Sequence, residues 1–271
     1  MKRLVLIIIG FVFALHVYAQ TNRDEHKIPK QTVAANLANY RLTIDISERE
    51  INGKFIRQLI DSGKIIELSR VSPTDNTFRL EDVSETIINE QGQNTQKLDE
   101  LEGMAFNIQG DNFAGIDFYK DVPPAQVDLV RMFMQDKVAF EIWGQTYLDS
   151  LELNIPFYPA LFQNQQADFE QSVNFNTQKL NITYLGYSKI NGKNCILLYF
   201  KSMYSPFFVD NDNMTVTGRS CFWGNIWILP DTRQIEYAAM DEDIIFHLKL
   251  KGNNFEKQFN KQREVTYEKI E

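Results

Sequence analysis

The dipeptide Asn191-Gly192, set in NITYLGYSKINGKNCILLYF, forces the chain to reverse. Asn-Gly between alternating apolar residues marks a two-residue β-hairpin, because both central residues of a type I′ turn need positive φ. Placing the turn fixes a register: Ser188 faces Cys195, Tyr187 faces Ile196, Leu185 faces Leu198, and Tyr184 faces Tyr199. One face then holds Thr183, Leu185, Tyr187, Ile196, Leu198 and Phe200 and reads as core. The other holds Tyr184, Gly186, Ser188, Cys195, Leu197 and Tyr199 and is mixed. The tetrapeptide INGK also occurs at Ile51–Lys54, where the same rule sets Glu48 against Arg57 and Ile46 against Leu59. Both pairs are good cross-strand partners. The repeat reads as one turn used twice, not as a duplicated functional unit.

Period-2 alternation continues along the chain. Tyr40, Leu42, Ile44 and Ile46 alternate with polar residues, and strands are expected near Phe55–Ile60, Lys64–Val71, Thr77–Val83, Gly103–Ile108 and Gly115–Tyr119. Ile244, Phe246, Leu248 and Leu250 share one face of a late strand, opposite Ile245, His247, Lys249 and Lys251. The polar stretch Glu90–Lys97 reads as a loop, and residues 141–168 take no secure assignment. One helix is expected over Pro124–Phe140: proline suits the first turn, and Val127, Val130, Met134 and Val138 follow at helical spacing. The class is mainly β (α+β), a curved antiparallel sheet or open barrel with one or two covering helices. Without a linker rich in Gly, Pro or Ser, residues 33–271 read as a single β-rich domain.

The chain opens MKRLVLIIIGFVFALHVYAQ: two cations, a short apolar run, then small residues at the cleavage positions. That is the pattern of a secretory signal peptide over residues 1–19, followed by a mobile polar leader over 20–32. Gln20 stands where an acylated lipoprotein would carry cysteine. The expected product is soluble, periplasmic or extracellular, with no transmembrane anchor after cleavage. The full chain carries a net charge of −8, and cleavage removes Lys2 and Arg3. An acidic protein without a basic cluster is a poor nucleic-acid binder.

In an oxidising compartment the two cysteines, Cys195 and Cys221, are a disulfide candidate. A following hairpin centred on Phe208 puts them directly opposite at a non-hydrogen-bonded position, within disulfide reach. The same register lays Phe222, Ile226 and Ile228 on the core face and Trp223, Asn225 and Trp227 on the mixed face with Tyr184 and Tyr199. Trp223 then faces Lys193. These five residues are the candidate ligand-binding set. Their competing role is a second core layer under the helix, since tryptophan is mostly buried.

Chemistry is sparse. No nucleophile elbow, zinc-protease, P-loop or dinucleotide motif occurs in a credible context, and no cofactor or metal site is expected. Asp210-Asn-Asp-Asn213 lacks the spacing of a calcium loop and reads as a polar turn. Asp241, Asp243 and His247 are the residues a secreted hydrolase would use, against a plain reading as a solvated strand face.

The run YLGYSKINGKNCILLYF, followed by WGNIWILPDTRQIEYAAM, resembles uncharacterised exported bacterial envelope proteins with an outer-membrane-lipoprotein-carrier-like hemi-barrel. The resemblance covers roughly residues 181–250 and rests on the hairpin, Trp227 and Asp231-Thr232-Arg233. It implies a concave apolar face cradling lipid or acyl chains, and it carries no functional residue across. The expected function is that of an exported non-enzymatic envelope protein binding an amphipathic ligand or another envelope component. The alternatives are a carbohydrate-binding module on Trp223 and Trp227, and a secreted hydrolase.

Overall fold

The computed structural model describes residues 28, 37–159, 165–169, 173–177, 180–252 and 254–271. The expected signal peptide and leader lie, Ile28 apart, outside them. Thirteen strands form one antiparallel sheet. They are β1 (Asn39–Glu50), β2 (Phe55–Ser72), β3 (Asp75–Asn89), β4 (Gly92–Lys97), β5 (Ala105–Gln109), β6 (Pro156–Phe157) and β7 (Gln165–Phe169). There follow β8 (Val173–Thr177), β9 (Asn181–Ile190), β10 (Lys193–Asp210), β11 (Met214–Ile228), β12 (Ile235–Leu250) and β13 (Glu256–Ile270). Their order is β4-β3-β2-β1-β13-β12-β11-β10-β8-β7, with β5 beside β3, β9 beside β10, and β6 beside β9. The sheet is open.

Among the described residues one α-helix, α1 (Val127–Glu141), lies on one face of this sheet. Pro124–Gln126 precedes it as a 3-10 turn and Ile142–Thr146 extends it as a π-helix. Its Phe133 sits where a Cβ on Gly63 of β2 would lie, at 2.7 Å. Ten residues on, Trp143 packs on Phe200 of β10 with ring centroids 4.7 Å apart. Those ten residues advance about 15 Å, whereas β2 and β10, five strands apart in the order, would stand about 24 Å apart in a flat sheet. The sheet therefore curls round its helix. We call the helix side inward.

The inward core alternates as the sequence predicts. Tyr40, Leu42, Ile44 and Ile46 are buried, as are Ile196, Leu198, Phe200, Phe222, Ile226 and Ile228. Phe140 stacks on Tyr267 at 6.0 Å and meets Phe200 edge-on at 6.1 Å. Burying side chains of this size contributes about 1.5–3 kcal/mol each.

The two INGK turns differ. Asn191 (φ 51°) and Gly192 (φ 75°) form the expected two-residue turn. At the first copy only Gly53 (φ 89°) is left-handed, and its N–H bonds to the Glu50 carbonyl. The turn is one residue longer, and a bulge between Glu48 and Arg49 absorbs the extra residue. Glu48 still faces Arg57, and Ile46 still faces Leu59.

Four expectations are corrected. Gly92–Lys97 is not a loop: it is a short edge strand with every residue exposed, held by backbone pairing to β3 without apolar alternation. Ile116–Tyr119 is a 3-10 turn, fixed by the Tyr119 hydroxyl donating to the Phe113 carbonyl at 2.7 Å. Residues 204–210 continue β10, so the chain reverses at 211–213 and not at Phe208. A bulge at Leu185, beside the left-handed Gly186 (φ 103°), sets Tyr184 opposite Leu198. Ile182 and Tyr184 thereby take the inward places expected for Thr183 and Leu185.

Moving the reversal slides β11 along β10. Trp223 faces Lys201 rather than Lys193, a slip of eight residues. The Cys195–Cys221 disulfide is thereby overturned: both cysteines are free. Cys221 donates to the Met203 carbonyl at 2.8 Å, about 26 Å along the strand from Cys195. Burial pushes the Cys195 thiol above its ordinary pKa. Alkylation of denatured, unreduced protein is expected to label both thiols, read by intact mass; a mass unchanged by alkylation would restore the bridge.

Candidate functional site

An even slip preserves the face of every residue. Tyr199, Trp223, Asn225 and Trp227 accordingly stay on one face, as expected, in register with Tyr237, Ala239 and Asp241 of β12. That face is the outward one. The expectation of a helix over the tryptophans is corrected, because α1 packs on Phe200 and Tyr267, and Trp143 of its π-helical extension on Phe222, all on the opposite face. Tyr184 leaves the candidate set: the bulge turns it inward, where it is 5% exposed.

Three rows cross the outward face: Lys201–Trp223–Asp241, Tyr199–Asn225–Ala239 and Leu197–Trp227–Tyr237. Trp223 is 36% exposed. The Trp227 and Tyr237 rings lie 5.7 Å apart at 57°, and the enclosed Trp227 Nε1 has no hydrogen-bond partner. Asp241, Asp243 and His247 also point outward without joining. Asp243 accepts from Asn260 at 2.7 Å, and His247 Nε2 pairs with Glu256 at 2.9 Å.

The inward face carries a buried ionic core beneath α1. Lys137, fully enclosed, donates to both Glu141 oxygens (3.0 and 2.9 Å) and to Asn76 Oδ1 at 3.1 Å. Arg70 bonds Glu141 at 3.2 Å, Gln145 at 2.9 Å and also Glu67, while the Tyr267 hydroxyl donates to Glu141 at 3.0 Å. Burial opposes charge on Glu141, but Lys137 and Arg70 outweigh it and hold the carboxyl below its ordinary range. Two cations and two carboxylates balance there, and the cluster pins the helix to β2, β3 and β13. A second layer follows along the strands: Arg263 binds Asp136 of α1 and, at 2.6 Å, Glu242, which also accepts from Ser220. Sequence reasoning missed both layers. Lys137 and Glu141 stand four apart, the signature of a solvent-facing pair, and nothing local signals that this side of the helix is covered.

Beyond the second layer the strands outrun the helix. Inward positions there divide lengthwise. On β10–β12, and at Phe259 of β13, they are apolar: Phe207, Val216, Ile244, Phe246 and Leu248 line up with Phe259, and Phe246 stacks on Phe259 at 5.2 Å. A Cβ on Gly218 would lie 2.4 Å from the Phe207 ring and 2.7 Å from the Phe246 Cβ, so glycine there makes room for the Phe207 ring over the strand. On β1, β2 and β13 the inward positions are ionic, with Lys261 on Glu48 (2.8 Å), Arg57 on Glu48 (2.6 Å) and Lys257 on Glu50 (2.7 Å). Apart from Val216, these apolar residues are only partly buried, and none belongs to the contiguous core. One inward carboxyl of β2, level with Ile44 and so one row to the helix side of Arg263, has no cation. Asp61, 2% exposed, has an unpartnered Oδ1 and faces Glu85 across the ladder. Burial, then Glu85, pushes its carboxyl up to about 7.

Among the described residues no group of three or more His, Cys, Asp or Glu is placed to hold a metal ion. No helix there is long and apolar enough to cross a membrane.

The fold and its two faces define an open antiparallel sheet wrapped on one helix. No family model and no curated protein matches the chain. Among solved structures it is weakly similar to lipovitellin, in a structure of its lipid–protein interactions (TM-score 0.38, 11% identity, 87% of this chain). The chain spans 25% of that protein. It is also weakly similar to OmpF of Salmonella typhi in complex with daunomycin (TM-score 0.19, 8% identity, 86% of this chain and 97% of that one).

Proposed function

We propose that the protein is an exported, non-enzymatic binder of an amphipathic ligand, a lipid or acyl chain, lodged in the inward trough beyond the helix. The observation that supports this reading is the lengthwise division of that trough. An apolar strip centred on the Phe246–Phe259 stack runs beside an ionic strip built on Glu48, Glu50, Lys257 and Lys261. An acyl chain gains about 0.8 kcal/mol per methylene buried on the first strip. Its polar head then lies within reach of the second, whose lysines and Arg57 remain partly open to solvent and can exchange partners.

Purified protein is expected to release acyl lipid on organic extraction, read by mass spectrometry, and to bind the fluorescent fatty acid cis-parinaric acid. Phe246→Glu places a charge on the apolar strip and is expected to lower parinarate affinity at least about tenfold, with the fold retained by circular dichroism. Parent protein that carries no lipid and binds no parinarate would sink the reading, as would undiminished binding in the variant.

A further inference from the structure

The outward face carries a different kind of surface, and from it we infer a second site, one that takes a neutral carbohydrate chain. Trp223 and Trp227 stand four residues apart on β11 and on the same face, so their Cα atoms are spaced about 13 Å along the strand. Between them lie Asn225, Tyr199 and Ala239, the last a small side chain that leaves a shelf between the two indoles. Sugar rings present a C–H face that stacks on aromatic rings and a rim of hydroxyls that seek hydrogen bonds. Two indoles at this spacing let an extended run of sugar rings lie across both.

The polar groups fit the same occupant. Asn225 makes no hydrogen bond to another side chain among the described residues, and its amide offers both donors and an acceptor. Asp241, exposed beside Trp223, accepts from hydroxyls. Charge selects against other ligands. Asp241 and its cross-strand neighbour Glu264, with Glu268 beside Tyr237, give this side of the shelf an acidic border. That border outnumbers the cation Lys201, which lies across from Trp223 and over the Tyr199 ring, and so disfavours phosphate-bearing chains and anionic lipid surfaces. A peptide adding as a strand needs a sheet edge, whereas β11 is paired on both sides. An acyl chain makes no use of the amide and the carboxylate.

The site is separate from the trough, so the two readings fail separately. The test is intrinsic tryptophan fluorescence titration of the full chain with soluble neutral hexasaccharides of glucose, mannose and N-acetylglucosamine. At least one series is expected to bind saturably. Trp223→Ala and Asn225→Ala are each expected to weaken it tenfold or more, with Tm and parinarate binding unchanged. Both side chains lie off the inward core, so misfolding does not confound the pair. The proposal is overturned if no hexasaccharide binds, or if one binds with equal affinity to both variants. It is also overturned if Trp223→Ala abolishes parinarate binding, which would make the outward face the lipid site.

Discussion

The Glu141→Gln variant is expected to unfold about 3–5 kcal/mol more easily than the parent protein, because removing one partner of a buried ion pair strands the other. Glu141 is 1% exposed and receives bonds from Lys137, Arg70 and Tyr267 at once. With glutamine there, Lys137 and Arg70 keep only Glu67 as a counter-charge. Lys137 is fully buried, and burial already lowers its pKa. In a chain of this size the loss corresponds to a fall in Tm on the order of 10 °C. The double variant Lys137→Met with Glu141→Leu removes one charge of each sign and leaves the Arg70–Glu67 pair balanced. It is expected to cost less than Glu141→Gln alone. Urea unfolding of the three proteins measures both claims; a single variant within about 0.5 kcal/mol of the parent would show that the cluster does not hold the helix.

Asp61→Asn is expected to act in the opposite direction, and only at higher pH. A carboxyl raised to about 7 in the fold binds its proton more tightly there than in the unfolded chain. The associated stability is complete below the unfolded pKa and is lost as pH rises through the folded one. With an unfolded value near 3.9, the ionised group costs about 4 kcal/mol at pH 8 and less than about 1 kcal/mol at pH 4. Asparagine carries no such cost. The difference between variant and parent is therefore expected to be large and stabilising at pH 8 and to shrink steadily toward pH 4. Glu85, directly opposite, is the charged neighbour that raises the carboxyl further, so Glu85→Gln is expected to recover part of the same gain. Equal variant-minus-parent differences at pH 4 and pH 8 would mean that Asp61 is paired in solution.

Local chemistry made the faces of the sheet legible but not the long-range register. Asn191-Gly192 fixed β9 against β10 near the turn, and the pairs Ser188–Cys195 and Tyr187–Ile196 stand as derived. Three residues further on, the bulge at Leu185 broke the count, and only the left-handed Gly186 hinted at it. The β10–β11 reversal carried no such dipeptide. Phe208 looked as good a centre as the polar run at 211–213, and the disulfide expectation fell with that choice. The assignment of Trp223, Asn225 and Trp227 survived because the slip was even, which is a property of strands and not a merit of the turn placed. The helix was legible from its apolar spacing. Its buried Asp136, Lys137 and Glu141 were not, since their partners Asn76, Arg70, Arg263 and Tyr267 lie on distant strands. The trough was hidden for the same reason. Ile244, Phe246 and Leu248 showed an apolar face, but only the three-dimensional fold shows that α1 stops short of it.

An open sheet must also end somewhere, and β4 shows how this one avoids recruiting more strands. Its outer backbone groups are available to any extended segment that drifts alongside. Yet Gly-Gln-Asn-Thr-Gln-Lys offers a newcomer six exposed positions without one apolar side chain, and a terminal lysine beside them. A strand docking there would order its backbone without burying a hydrophobic residue against β4, so the balance of entropy and burial runs against growth. At this margin the sheet stays finite because its last strand gives a newcomer nothing apolar to pack on.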